Sequence, residues 1–494
     1  QGGRLAFGAA VMQGQAGAAA VQAAGDGGAY PFGGAGDEDG LAGKEFHGGN
    51  SLGHLAPRRL GRWGAGVKSV GRGDASPVPS AKRWVFQKKA WPALVEGDQP
   101  VKSVLFGSPV PLPAPSAEAL AHCGQLTDRL RGLIEAAGGW ISFADFMAET
   151  LYAPGLGYYA AGARKFGAAG DFVTAPEMTP LFGQALAQQL AAVMAASQGR
   201  ILEVGAGSGR LAADLLAELE RLGCLPDSYG ILDLSGDLRQ RQGQTLAAAV
   251  PHLLPRVEWL DRLPPAFSGA VVGNELLDAM PVHLVVWRED GIHERGVAVD
   301  AGGAFTWADR PAAGRVLAAA AEIAGQCDLP PGFLGEIGLA AQAWAAEWGR
   351  ILESGSVLLI DYGFPRREFF HAQRSSGTLM CHYRHQAHTD PFWLPGLQDI
   401  TAHVDFTAII AAAHGAGLEL QGYTSQGQFL LNCGILDHLG RLPPDSPAYI
   451  RAAGAVNKLL MPHEMGELFK VIAVGRGVAT PLPGFLRGDQ SYRL

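Results

Sequence analysis

Cysteine is scarce in this chain, and what there is does not pair. Cys123, Cys224, Cys327, Cys381 and Cys433 lie far apart, are odd in number and form no C-x-x-C. That pattern suits free thiols in a reducing compartment better than a disulfide framework. Charge is also thin, at 17% of residues, and a net charge of -8 with pI about 6.0 argues against a nucleic-acid surface spread over the whole protein. A local basic patch stays open. Long hydrophobic runs are missing, and no stretch reaches the roughly 18 apolar residues that a membrane span needs. The stretch "LAFGAAVMQGQAGAAAVQAAG" is broken by Gln and Gly and has only Arg4 as a positive start, a weak signal-peptide pattern. The chain opens on Gln1 instead of Met, as a fragment or an over-extended reading frame would.

What is present is apolar bulk: 48% of the 494 residues are hydrophobic, enough for a sizeable core. It is unevenly placed. Residues 1–115 are dense in Gly, Ala and Pro without a period of 3.6 or 2, so a disordered extension is expected there. Asp37, Glu38 and Asp39 spoil a transit-peptide pattern. From Ala117 the texture changes. "LTDRLRGLIEAAGG" puts Leu126, Leu130, Leu133 and Ile134 on one helical face and stops at Gly138-Gly139. Short apolar runs at 201–205, 229–235, 269–275, 355–363, 418–425 and 469–475 then alternate with helical stretches. Such alternation predicts an α/β fold, a mostly parallel sheet with helices on both faces. Between the third and fourth runs, "VHLVVWREDGIHERGVAV" reads as a hairpin turning at Asp290-Gly291, followed by two Ala-rich helices, an insertion at about 280–350.

The stretch "ILEVGAGSGR" (201–210) is strand, glycine loop and helix start, which brings backbone N–H groups and a positive helix end to a polar ligand. A P-loop would need Lys after the last glycine, and a dinucleotide fingerprint would need Gly where Arg210 stands. The spacing is G-x-G-x-G, with Glu203 two residues ahead. Asp233, at the end of the next run, can accept both hydroxyls of a ribose. Loop plus acid points to an adenosine nucleoside and by itself leaves NAD and S-adenosylmethionine both open.

Four further stretches, "GDFVTAPEMTPLFG" (170–183), "GNELLDAMPVH" (273–283), "LLIDYG" (358–363) and "DITAHVDF" (399–406), resemble the MidA-like family of class I S-adenosylmethionine-dependent methyltransferases. "QFLLNCGI" (428–435) and "LLMPHEMGELFKVIAV" (459–474) extend the resemblance, which covers about 126–480. It implies a class I methyltransferase (Rossmann-like) fold over 116–494 and S-adenosyl-L-methionine as cofactor. Cofactor contacts are then expected from Gly205, Gly207, Gly209, Glu203, Asp233 and Asn274, and from Gly170, Asp171, Thr174 and Glu177 in a segment folding over it. Thr174-Ala-Pro-Glu177 equally has the shape of a capping box.

An apolar strand delivering Asn274, Glu275 and Asp278 to the carboxyl edge of the sheet suits a guanidinium, a permanently charged fork of donors; the rival reading is an exposed helix start. Glu275, Asp278 and Asp361 are therefore the candidate catalytic residues. The polar, aromatic stretch at about 365–405 has the form of a lid or substrate loop. Its Cys381, His382, His385 and His388 fit no common zinc template, so no metal is expected. Asp399, Thr401 and Asp405 match the family pattern, whereas His403 departs from the mitochondrial relative, which is acidic there.

The expected function is methylation of a protein, on arginine. The resemblance to a mitochondrial complex I assembly factor implies a respiratory-complex subunit as one acceptor. Neither a nucleic-acid partner nor a membrane span is expected, and cytoplasm is preferred to mitochondrial matrix. Two rivals remain: an NAD-dependent oxidoreductase, disfavoured by Arg210, and a non-catalytic S-adenosylmethionine-binding assembly factor, disfavoured by the retained Glu275, Asp278 and Asp361.

Overall fold

Ser116 opens the ordered body: its hydroxyl accepts the Ala119 N–H at 3.2 Å and so satisfies one of the unpaired donors of helix α1 (Ala117–Ala136). The computed structural model describes residues 112–161 and 174–494. The expected extension up to residue 111, and Gly170 and Asp171 of the cofactor set, lie outside the described residues. Helix α1 buries Leu126, Leu130 and Ile134 and ends where Gly138 and Gly139 take φ of +77° and +87°, a conformation that L side chains avoid. Helix α2 (Phe143–Tyr152) and helix α3 (Pro180–Ala196) follow.

Next come β1 (Arg200–Val204), α4 (Arg210–Arg221), β2 (Ser228–Leu232), α5 (Gly236–Ala249), β3 (Val257–Leu260) and β4 (Phe267–Asn274). The inserted part holds β5 (His283–Arg288), β6 (Gly291–Val299), β7 (Phe305–Pro311), α6 (Gly314–Gln326), β8 (Phe333–Ile337) and α7 (Leu339–Ile351). The chain then returns through β9 (Leu352–Phe364), β10 (Met380–Tyr383), β11 (Gln386–His388), β12 (Asp399–Thr401), α8 (Phe406–Gly415), β13 (Glu419–Ser425) and β14 (Phe469–Arg476).

The main sheet runs β13-β14-β9-β4-β1-β2-β3. The pairings β3–β2, β2–β1, β1–β4 and β4–β9 are parallel, and β14 lies antiparallel between β9 and β13. Strand residues alternate between two cores. Ile201, Ala270, Val272, Leu358 and Ile360 pack with α3 and α4 on one face, while Leu202, Val204, Val271 and Leu359 pack with Trp344, Trp348 and Ile409 on the other. Each such aliphatic side chain, fully buried, contributes about 1.5–3 kcal/mol. All six expected strands are present, and an edge strand, β3, joins them.

The insertion builds a second sheet, in which β6 pairs with β5 and β7, and β5 with β8. The hairpin turns one residue earlier than expected, at Glu289-Asp290, because Arg288 pairs with Gly291. The N-terminal helices belong to this second sheet: Leu126, Leu130, Phe143 and Phe146 share a core with Leu284 and Val297. The 377–405 stretch is partly ordered into a small antiparallel sheet, β11-β10-β12. Among the described residues no helix is long and apolar enough to cross a membrane.

Candidate functional site

The glycine loop joins β1 to α4. Gly205, Gly207 and Gly209 take φ of +74°, +53° and +81°, and a Cβ on Gly209 would come 2.9 Å from the Gln242 Cα. Glycine is therefore required by conformation and by space. Gln242, on α5, ties the loop to the next strand end: its amide donates to the Gly207 carbonyl at 3.1 Å and to Asp233 Oδ2 at 2.8 Å. Asp233 follows β2 directly, and its Oδ1 accepts the Ser235 N–H at 3.1 Å. Burial lifts its carboxyl above the ordinary range. A carboxylate offers about four acceptor positions, so beside the N–H groups of Leu234, Ser235 and Gln242 Asp233 keeps acceptor capacity for a ligand hydroxyl. Left-handed glycines at a helix start and a buried carboxylate at the adjoining strand end fit the adenosyl and ribose parts of S-adenosylmethionine.

Other members of the expected cofactor set lie differently. Glu203 is buried within the sheet and accepts the Tyr229 hydroxyl at 2.7 Å; burial pushes it up to about 7. Thr174 stands before a single turn (Ala175–Met178), but its side chain makes no capping bond, and the second turn of the chain starts afresh from Thr179. The capping-box reading fails there. The Glu177 carboxylate instead receives the Ser208 hydroxyl of the glycine loop, so the segment is tied to the loop directly.

At the carboxyl ends of β4 and β9 four carboxyl groups converge. Asn274 ends β4, and Glu275 follows with φ +51°, its N–H donating to the Ile360 carbonyl at 2.9 Å. A non-glycine residue held there is strained, as residues at functional sites often are. The chain does not begin a helix here: after the half-buried Glu275, residues 276–280 form a buried turn, and the exposed-helix-start reading of Asp278 is overturned. Asp361 of β9 makes that turn possible. Its Oδ2 accepts the N–H groups of Leu276, Leu277 and Asp278 at 3.1, 2.7 and 3.3 Å, and its Oδ1 accepts the Tyr362 N–H at 2.9 Å. Asp399, on β12, completes the group, its Oδ1 accepting the Tyr159 hydroxyl at 2.9 Å.

These groups perturb one another. Burial, then the charge of Asp361, pushes Glu275 up to about 8, and the Ala175 N–H bonded to it pulls the other way. Asp278 is raised strongly by burial and by Asp361, Glu275 and Asp399. Burial raises Asp361 too, against the N–H groups that it accepts. The Asn274 side-chain amide donates to Glu275 Oε1 at 3.1 Å, while its own carbonyl oxygen is buried without a partner.

Asp405 stands apart. It is bonded to Arg366 at 3.0 Å and caps α8 through the Ala408 N–H at 3.2 Å. His403 lies flat against Tyr362, centroids 5.9 Å apart at 8°, and burial pushes it down to about 4, which makes it a neutral ring at pH 7. Cys381 is sealed in a core, and no group of His, Cys, Asp or Glu among the described residues is arranged to hold a metal. Sequence reasoning missed Tyr152, Tyr159, Ser208 and Gln242. Only the aromatic pair in "GLGYYA", just ahead of the cofactor segment, offered a signal.

Residues 181–424 match the family model of S-adenosyl-L-methionine-dependent methyltransferases. The mitochondrial protein arginine methyltransferase NDUFAF7 of Danio rerio is 30% identical over 68% of this chain and 84% of its own length; that of Mus musculus is 29% identical over 72% and 86%. A crystal structure of a COG1565 superfamily member from Burkholderia thailandensis, bound to S-adenosyl-homocysteine, is 53% identical, covers 78% of this chain and all of its own, and superimposes with a TM-score of 0.75. The identity, the coverage and the shared fold agree with the glycine loop and its partner carboxylate: the chain belongs to the family of S-adenosyl-L-methionine-dependent methyltransferases.

Proposed function

We propose that this enzyme methylates an arginine side chain of a protein, and that Glu275, Asp278, Asp361 and Asp399 form the acceptor site. The observation that carries this reading is the convergence of four carboxyl groups, three of them buried to within a few per cent of zero exposure, at the carboxyl edge of β4 and β9. Alone, they repel and are driven toward the protonated form. A guanidinium reverses this, since it brings a permanent positive charge and five N–H donors in one plane. A hydroxyl or carboxyl acceptor would leave the repulsion in place. The curated relatives, named as protein arginine methyltransferases, support the same substrate class.

Gly205, Gly207, Gly209 and Asp233 would hold the adenosyl group, with Glu177 tied to the loop through Ser208, Thr174 in the same segment and Asn274 at the boundary with the acceptor. When bound, S-adenosylmethionine supplies an electrophilic methyl group on a sulfonium. The carboxylates orient the guanidinium and offset its repulsion from that second cation. Burial and the charge of Asp361 make Glu275 more basic than an ordinary carboxylate; once a bound guanidinium holds it ionised, it is suited to take the proton that the acceptor nitrogen sheds as its new bond to carbon forms. Burial of the cluster excludes competing water. Higher identity to the bacterial structures than to the mitochondrial relatives favours the cytoplasm over the mitochondrial matrix.

The test is incubation of the full chain with methyl-labelled S-adenosylmethionine and candidate acceptor proteins, one portion then being treated with base and another taken to acid hydrolysis. Labelled methylarginine is expected; label recovered as methyl-lysine, as a base-labile ester or on small molecules alone overturns the reading.

A further inference from the structure

Two tyrosines flank the acidic cluster, and none of its chemistry has yet been assigned to them. Tyr152, the last residue of α2, donates its hydroxyl to the Ala279 carbonyl at 2.9 Å, in the turn that carries Glu275 and Asp278. Tyr159 donates to Asp399 across 240 residues of sequence. Their rings stack at 5.5 Å and 20°. Tyr158 braces the pair edge-on, 5.0 Å from Tyr159 at 82°, and is buried, whereas Tyr152 and Tyr159 each keep part of their surface. The charges of Asp278 and Asp399 act on both phenols, and that of Asp233 acts on Tyr152. The pair thus lies within electrostatic reach of the carboxylate beside the glycine loop and is bonded to the turn and to Asp399 of the acidic cluster.

We propose that the Tyr152–Tyr159 pair is the aromatic face on which the acceptor guanidinium lies, and that it selects arginine over lysine. This rests on the reading of the acidic cluster as the arginine site. Carboxylates satisfy a guanidinium only around its edges; its two faces are poorly hydrated and favour a ring. An ammonium has no such face and is strongly hydrated, so the same wall costs it solvent and returns less. Tyr159 acts as well on Asp399: its hydroxyl orients the carboxylate that would meet one edge of the guanidinium. In that part Tyr159 is a positioning residue.

The experiment titrates the full chain, saturated with S-adenosylhomocysteine, with ethylguanidinium and with butylammonium, read by ligand-observed NMR. Wild type should bind ethylguanidinium at least about fivefold more tightly, the order expected of a desolvated ring contact. Tyr152→Leu should bring the ratio close to one without changing S-adenosylhomocysteine affinity, and Tyr152→Phe, which keeps the ring, should restore it. Tyr159→Phe should keep the preference for ethylguanidinium while weakening its binding severalfold, through Asp399. If Tyr152→Leu does not fold, Tyr159→Leu gives the same comparison. Equal binding of the two cations by wild type would overturn the arginine-site reading itself. A preference kept in the leucine variant, or lost cofactor affinity there, would overturn the aromatic face and leave that reading standing.

Discussion

Asp361→Ala should be among the most damaging single changes to the stability of the body, although it removes only a few atoms. Its Oδ2 is the shared acceptor for the N–H groups of Leu276, Leu277 and Asp278, at 3.1, 2.7 and 3.3 Å, in a turn with almost no access to water. A buried donor left without a partner costs about 1–3 kcal/mol. The longest bond is weak, so the loss of the other two gives about 2–6 kcal/mol. Relief of repulsion with Glu275 and Asp278 works against this and grows with pH, so the measurement belongs near pH 6. Asp361→Asn separates the anchor from the charge. Its carbonyl can take the place of Oδ2, while its amide nitrogen then faces the Tyr362 N–H, donor against donor. A cost of about 1–3 kcal/mol is expected for that single conflict. Urea unfolding followed by tryptophan fluorescence would rank the two. An alanine variant within 1 kcal/mol of wild type, or an asparagine variant as damaged as alanine, would refute the reasoning.

Glu275→Gln keeps the side-chain shape and should leave S-adenosylhomocysteine affinity nearly unchanged while methylation slows by about 10²-fold or more; a calorimetric loss of cofactor binding would move Glu275 into the adenosyl pocket. Asp278→Asn should act in the same direction but more mildly. Asp233→Ala should weaken S-adenosylmethionine binding by about 1.5–3 kcal/mol, the scale of a lost charged hydrogen bond, again by calorimetry. Gly209→Ala must place its Cβ 2.9 Å from the Gln242 backbone at φ +81°, so it should destabilise the fold and abolish cofactor binding together. The pH dependence follows from the raised carboxyls. Glu275 at about 8, and Asp361 and Asp278 raised likewise, hold protons in the folded chain that the unfolded chain has released, so their contribution falls as pH rises from the usual carboxylate range to about 8. His403, lowered to about 4, acts oppositely below about 6.5. Melting temperature of the ligand-free chain should therefore drop between pH 6.5 and 8, and Glu275→Gln should flatten that drop.

The sheet was legible because its strands are buried on both faces and read as short apolar runs, as "AVVGNE" and "VLLIDYG" do. The strand Val257–Leu260 was not, since an edge strand is half wet and this one is four residues long, with Glu258 and Trp259 side by side between Val and Leu. The glycine loop and Asp233 were legible from local chemistry: a run of left-handed positions admits little but glycine, and a strand end followed by an acid is a short-range pattern. Glu275 and Asp278 could be placed at the right edge from the strand alone. Their surroundings could not, because the turn of 275–280 is dictated by Asp361, some 85 residues later, and a helix start is the default reading of N-E-L-L-D without that partner. Glu177 could be read as site or as cap for the same reason: its partner, Ser208, is 31 residues on. Tyr159 meets Asp399 only after two sheets have closed, which no local pattern records.

The position of β14 has a consequence for how this protein is made. Among the described residues it is the last strand in chain order, yet it lies inside the main sheet, between β9 and β13. Until residues 469–476 leave the ribosome, β9 carries a bare ladder of N–H and C=O groups along the side that β14 will occupy, with Asp361 and Tyr362 on that strand. A nascent or prematurely terminated chain can hold its glycine loop and all four acidic residues, and still present an open, apolar sheet edge of the kind that recruits other chains. Closure of the sheet beside Asp361 thus waits for residues 469–476. A stop codon anywhere before Phe469 should give aggregates instead of a merely shortened enzyme.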